Sequence, residues 1–176
     1  MSTPLDSRKT IGFYAGSFDP ITLGHLDVVR KALKVFDYVH IAIGRNPKKK
    51  GTFSEIRRVG LIEASLNEIF PAELKERITI GTFQGSLMDG ARHRGATAIV
   101  RGLRQISDFN DEFALHGIVE QTAPDIPVTY LICQQQYLHV SSSSAKELAF
   151  LGHDTSWMVA PSVSEALRNV VEASNQ

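Results

Sequence analysis

Four short runs in this 176-residue chain carry side chains suited to holding phosphate. The first is Gly16-Ser17-Phe18-Asp19-Pro20 with Thr22-Leu23-Gly24-His25 close behind it. The second is Lys48-Lys49-Lys50, the third Arg101-Gly102-Leu103-Arg104, and the fourth Ser141-Ser142-Ser143-Ser144. The first run opens as a strand, breaks at glycine and proline, and enters a helix with His25 in its first turns. A strand, a turn of small residues and a helix start bring free N–H groups and the positive end of a helix dipole to one place. Ser17 adds a hydroxyl, and His25 a donor that is cationic or neutral near pH 7. Gly24 would let the helix start come close to a ligand. The serine run makes a second helix start rich in donors, and an arginine at a strand end can fork onto a phosphate.

The elements that must position these runs follow from periodicity. Strand one is expected over 10–15 and strand two over 38–43. The helix between them turns Leu26, Val29, Leu33 and Phe36 to one face. That succession is a βαβ unit, so the sheet should be parallel with right-handed crossovers. The basic loop 44–52 leaves the carboxyl end of strand two, the edge where open α/β sheets bind ligands. Lys48–Lys50 could be a solvated charge run, but this position favours one lysine in the site. The next helix runs to Phe70, capped by Thr52 with Glu55 as a capping box or by Ser54, with Val59, Ile62, Leu66 and Ile69 inward. Strand three is expected at 78–80, a helix over 86–94 closed by Gly95, and strand four at 98–100 with Arg101–Arg104 directly after it. Asp108 is expected to cap a long helix to about Gln121, with Leu115, Ile118 and Val119 apolar. Strand five covers 128–133, a helix opens at the serine run and ends at Gly152, and a last helix begins at Pro161 with Val163, Leu167, Val170 and Val171 inward. The fold class is therefore α/β, a single doubly wound domain with a five-stranded parallel sheet. Residues 1–9 read as a loose N-terminal arm and 10–176 as the domain.

Composition narrows the class. Lys plus Arg and Asp plus Glu are both 19, so the net charge is zero. That argues against a general nucleic-acid or membrane-surface binder, which needs a basic excess. No apolar run approaches a membrane span and the N-terminus has no signal-peptide core, so a cytoplasmic protein is expected. Cys133, the single cysteine, sits in an apolar run and reads as a buried thiol.

Gly16-Ser17-Phe18-Asp19-Pro20 with Thr22-Leu23-Gly24-His25 resembles the signature of the nucleotidylyltransferase superfamily, and the tyrosine before the glycine and Thr22 point to its phosphopantetheine adenylyltransferase branch. The resemblance runs from about residue 10 to about 172. It implies a Rossmann-like nucleotidylyltransferase fold and transfer of AMP from ATP to 4′-phosphopantetheine, giving dephospho-coenzyme A and pyrophosphate. Magnesium as cofactor and a homohexamer are implied with it. His25, Lys49 and Arg101 would be catalytic. Ser17, Phe18, His25, Gly102, Leu103, Arg104, Glu112, Tyr137, Ser141, Ser142 and Ser143 would bind ATP, while Ser17, Lys49, Leu87 and Arg101 would bind the acceptor. Asp19 could cap its turn or help hold magnesium through water, the structural role being favoured. The chain departs from the branch at Asp111, which stands in a tyrosine's place, and more mildly at Tyr137 for tryptophan, Val140 for isoleucine and His139 for an aromatic. Two alternatives stay open: another nucleotidylyltransferase, with a nicotinamide or polyol phosphate acceptor, and a non-catalytic nucleotide-binding module.

Overall fold

A computed structural model describes residues 9–45 and 51–174, without the side chains of 106, 107, 111 and 114–116. Lys49, the rest of the lysine run and the first eight residues of the expected arm lie outside that description, as does the side chain of Asp111. Lys9 does not hang free: its Nζ donates to the Tyr38 hydroxyl at 2.9 Å.

Five strands alternate with helices in the order β1 (Ile11–Gly16), α1 (Leu23–Ala32), β2 (Tyr38–Gly44), α2 (Glu55–Ile69), α3 (Ala72–Lys75), β3 (Ile78–Phe83), α4 (Leu87–His93), β4 (Ala98–Leu103), α5 (Ile106–Thr122), β5 (Val128–Ile132), α6 (Ser142–Phe150) and α7 (Pro161–Ser174). The strands form one parallel sheet ordered β3-β2-β1-β4-β5. The chain leaves β1 toward one edge and later returns to its other side at β4. That reversal between β1 and β4 opens a crevice at the carboxyl ends of the two strands.

Strand alternation divides the core in two. Tyr14, Ile41, Ile43 and Val100 face a layer built from α1, α2, α6 and α7, where Val29, Ile62, Leu66, Ala145, Val163 and Leu167 pack. Phe13, Ala15, Ala42 and Ile99 face the opposite way, against Ala91 of α4 and Val119 of α5. Near-continuous apolar runs such as Val39–Ile43 are what a strand covered on both faces requires.

Several local expectations change. β4 runs three residues further than periodicity suggested, so Arg101, Gly102 and Leu103 lie inside the strand, paired with Tyr130, Leu131 and Ile132 of β5. Ser54, not Thr52, caps α2, its hydroxyl accepting from the Arg57 N–H. α3 is an additional short turn of helix that the acidic-basic segment before β3 did not advertise. Asp108 is not the cap of α5. The helix starts three residues earlier, after Gln105, and Asp108 sits in its first turn with its carboxylate accepting the Arg104 N–H at 3.0 Å. Of the apolar residues noted in α5, Ile118 is 56% exposed and Val119 is buried. The helix after the serine run stops at Phe150, and Gly152, in the left-handed region at φ +76°, turns the chain away.

Candidate active site

The crevice between β1 and β4 is a cavity of about 380 Å³. Ser17, Phe18, His25, Arg101, Gly102, Arg104, Glu112, Ser141, Ser142 and Ser143 of the expected set all line it. Three expected residues do not. Leu103 is buried in β4. Leu87 packs beside the second core at the start of α4. Tyr137 lies in the short 3-10 turn before α6 and packs against the main core behind the start of α1.

His25 is held by the start of α1. The Thr22 N–H donates to its Nδ1 at 3.1 Å, and the Thr22 hydroxyl accepts from the His25 N–H at 3.3 Å, a reciprocal cap. An amide N–H can only donate, so Nδ1 is an acceptor and the neutral ring carries its proton on Nε2. Burial, with the Arg104 cation adding to it, pushes the imidazole pKa down to about 4. At pH 7 this histidine is a neutral N–H donor on the cleft wall. The Phe18 ring meets it edge-on, with centroids 5.1 Å apart. That ring can fold back because residue 16 is glycine: a Cβ there would lie 2.9 Å from Phe18 Cζ. Phe18 itself adopts φ +44°, in the left-handed region, a strained backbone at the loop that faces the cleft.

The same loop is tied down from three sides. The Asp19 carboxylate accepts the N–H groups of Thr52 and Phe53 at 2.8 and 2.9 Å. Arg58 Nη1 donates to the Ser17 carbonyl at 2.7 Å, and Ser142 Oγ donates to the Pro20 carbonyl at 2.8 Å. Both Asp19 oxygens are thus committed to backbone.

Two helix starts aim at the cavity. At α1 the Leu23 N–H donates to the Met158 carbonyl, while Gly24 lines the cleft with an N–H that has no intrahelical acceptor. A Cβ on Gly24 would meet protein atoms only at ordinary contact distances, 3.6 Å and beyond, so any need for glycine there comes from a ligand. At α6 Ser141 is the cap, its Oγ accepting the Ser144 N–H at 3.0 Å. The N–H groups of Ser142 and Ser143 precede the first intrahelical bond and face the same space.

The arginines are paired. Arg101 forks onto Glu112, with Nε to Oε2 at 2.7 Å and Nη2 on Oε1. Arg104 pairs with Asp108, Nε to Oδ2 at 3.3 Å, and its Nη1 donates to the Val140 carbonyl at 3.2 Å, joining β4, α5 and the approach to α6. Glu112, expected to touch nucleotide, lines the cleft with its carboxylate on Arg101. The sequence reading missed Asp108 as a member of the site, and it missed Tyr14 and Cys133, which also line the cavity. The Cys133 thiol is buried as expected, and burial raises its pKa, so it sits there as an inert thiol.

A cleft with a neutral histidine donor, two open helix starts and arginines forked by carboxylates is built to hold a polyphosphate and to donate hydrogen bonds as its charge moves. Comparison with known proteins agrees with this. The cytidylyltransferase-like family model matches residues 13–148. A phosphopantetheine adenylyltransferase of Roseiflexus castenholzii is 39% identical over 92% of this chain and 97% of its own. Another from Allorhizobium ampelinum is 41% identical over 91% of this chain and 97% of its own. Among solved structures, a nicotinic acid mononucleotide adenylyltransferase of Plasmodium falciparum superposes with a TM-score of 0.64 over 95% of this chain and 96% of that one; at 17% identity it shares the fold. The chain belongs to the cytidylyltransferase-like family and, within it, to the phosphopantetheine adenylyltransferases.

Proposed function

We propose that this protein transfers AMP from ATP to 4′-phosphopantetheine, forming dephospho-coenzyme A and pyrophosphate. A phosphate oxygen of the acceptor attacks the α-phosphorus of ATP as the bond to the β-phosphate oxygen breaks. The attacking oxygen is already anionic, so no strong general base is needed. Positioning two polyanions and stabilising the charge that builds on the α-phosphate and the leaving group supply most of the rate. The observation that carries the reading is His25, a neutral Nε2–H donor between two open helix starts. Its proton is fixed by the Thr22 N–H and needs no reorganisation when charge shifts.

Magnesium belongs to the proposal. Among the described residues no group of three His, Cys, Asp or Glu side chains could cage a metal. Asp19 spends both oxygens on N–H groups, and Asp108 and Glu112 face arginines. That donor set fits an ion carried on the ATP phosphates and keeping its waters, where it would neutralise charge on the departing pyrophosphate. Lys49 and Leu87 remain proposed acceptor contacts on the resemblance alone. A cytoplasmic setting and a homohexamer are proposed on the same ground. The exposed aromatics of α5 support assembly, since Phe109 and Phe113 are 49% and 68% exposed.

The test is pyrophosphate release from ATP and magnesium, with and without 4′-phosphopantetheine. Release that depends on the acceptor is expected. Selective turnover of nicotinamide mononucleotide would replace the acceptor, and ATP binding without release for any phosphate acceptor would leave a nucleotide-binding module.

A further inference from the structure

Tyr14 is only 5% exposed, and its hydroxyl opens into the cavity without a hydrogen-bond partner among the described residues. The oxygen is not sealed in: among the described residues Arg58 Nε is the buried side-chain polar atom without a partner, so the Tyr14 hydroxyl reaches the cavity and can take its partner from there. The polar side chains beside it are engaged elsewhere, save the His25 Nε2–H, which is itself open to the cleft. His25 Nδ1 faces Thr22. Arg101 holds Glu112, and Arg104 holds Asp108 and the Val140 carbonyl. The Cys133 thiol points at the Gly24 carbonyl at 3.7 Å. On the neighbouring strand stands Gly102, where a Cβ would lie 3.4 Å from the Tyr14 Oη and 2.7 Å from Val28 Cγ2, so Val28 closes that side of the hydroxyl and the cavity is its open side. The ring is fixed by edge contacts with Phe18, centroids 5.3 Å apart, and by the tilted His25 ring at 6.4 Å.

We infer that the Tyr14 hydroxyl is a ligand-binding group that donates a hydrogen bond to an oxygen of the bound nucleotide, at the His25 end of the cleft. The inference rests on the proposed reading of this cavity as the ATP site and adds a contact to it. Donation is the sense the surroundings require. The ligand brings anionic oxygens, and burial raises the phenol pKa, so the group keeps its proton beside them. A phenylalanine would fill the same space and leave the nucleotide oxygen unpaired.

The experiment compares wild type and Tyr14→Phe by calorimetric titration with ATP, by steady-state kinetics in both substrates, and by thermal denaturation. The variant should bind ATP about tenfold more weakly, the scale of one hydrogen bond. Its acceptor KM should be unchanged and its melting temperature no lower than that of wild type. ATP affinity within twofold of wild type would overturn the inference, as would a melting temperature several degrees lower or an equal weakening toward both substrates, since these mark a structural role. If wild type itself fails to bind ATP, the reading of the cavity falls, and the contact with it; equal binding by both proteins removes the contact alone.

Discussion

At the scale of single residues, the chemistry turns on which proton His25 carries. Nδ1 accepts from the Thr22 N–H, so a second proton there would set two donors face to face. Burial works in the same direction, and the pKa falls to about 4 from an ordinary value near 6.5. The folded-state value is lowered, so the ring stays neutral through the range in which a free histidine charges and becomes cationic only as the pH falls toward 4. Nitrogen and carbon chemical shifts of the His25 ring should therefore report the Nε2–H tautomer from pH 8 down to about 5; a midpoint near 6.5 would remove the preorganised donor. His25→Ala should lower turnover by at least roughly a hundredfold, the scale of losing one transition-state donor, with only a modest loss of ATP affinity by titration. Near-normal turnover would take His25 out of the mechanism. His25, Ser17 and the serine run were legible because their neighbours in sequence build the turn or helix start that aims them. The pairing of Arg101 with Glu112 was not, because the two meet only when α5 folds back along β4. The open hydroxyl of Tyr14 was hidden for a similar reason: the tyrosine is visible in the sequence, but its place on the cavity wall belongs to tertiary packing.

At the scale of elements, the site depends on how closely α1 lies on β4. A Cβ on Gly102 would come 2.7 Å from Val28 Cγ2, inside any real contact, so glycine sets the distance between helix and strand. Gly102→Ala should cost about 1–3 kcal/mol by urea denaturation, the usual penalty for overpacking. Val28→Ala in the same chain should recover part of it by opening the contact. An unchanged midpoint for the single variant would mean that α1 can move away freely. The five-stranded parallel sheet could be anticipated from the βαβ rhythm, but not the length of β4, because Gly102 is a poor strand signal and Arg101 and Gly102 are held extended by pairing with Tyr130 and Leu131 of β5. Asp108 misled for a related reason. Its carboxylate is a good cap in isolation, yet Arg104, four residues earlier, offers both an N–H and a guanidinium, and the carboxylate turns back to them. Asp19 went the other way: its turn-capping role was anticipated, while its partners, the N–H groups of Thr52 and Phe53, come from 33 and 34 residues away.

At the scale of the molecule, one helix does not fit an isolated chain. α5 buries Val119 and Glu112 but leaves Phe109 and Phe113 outward, their rings 6.1 Å apart one turn from each other, and Ile118 outward on another side. A helix that is apolar on more than its core-facing stripe is one that packs against something further. The apolar residues of α5 thus answer two demands at once, one for the sheet and one for a second surface. Among the described residues no helix is long and apolar enough to cross a membrane. The homohexamer proposed on resemblance would supply another copy of the chain. Charge does not oppose it, since a net charge of zero leaves little long-range repulsion between copies. Sedimentation velocity at micromolar concentration should then give the mass of six 19.4 kDa chains. Phe113→Asp would place an unpaired carboxylate in an apolar contact, and it should shift the protein to smaller species while leaving the far-ultraviolet circular dichroism of the fold intact. A wild-type protein that sediments as one chain would end the assembly proposal. A Phe113→Asp variant that keeps the wild-type mass would leave the assembly standing and move its interface away from α5.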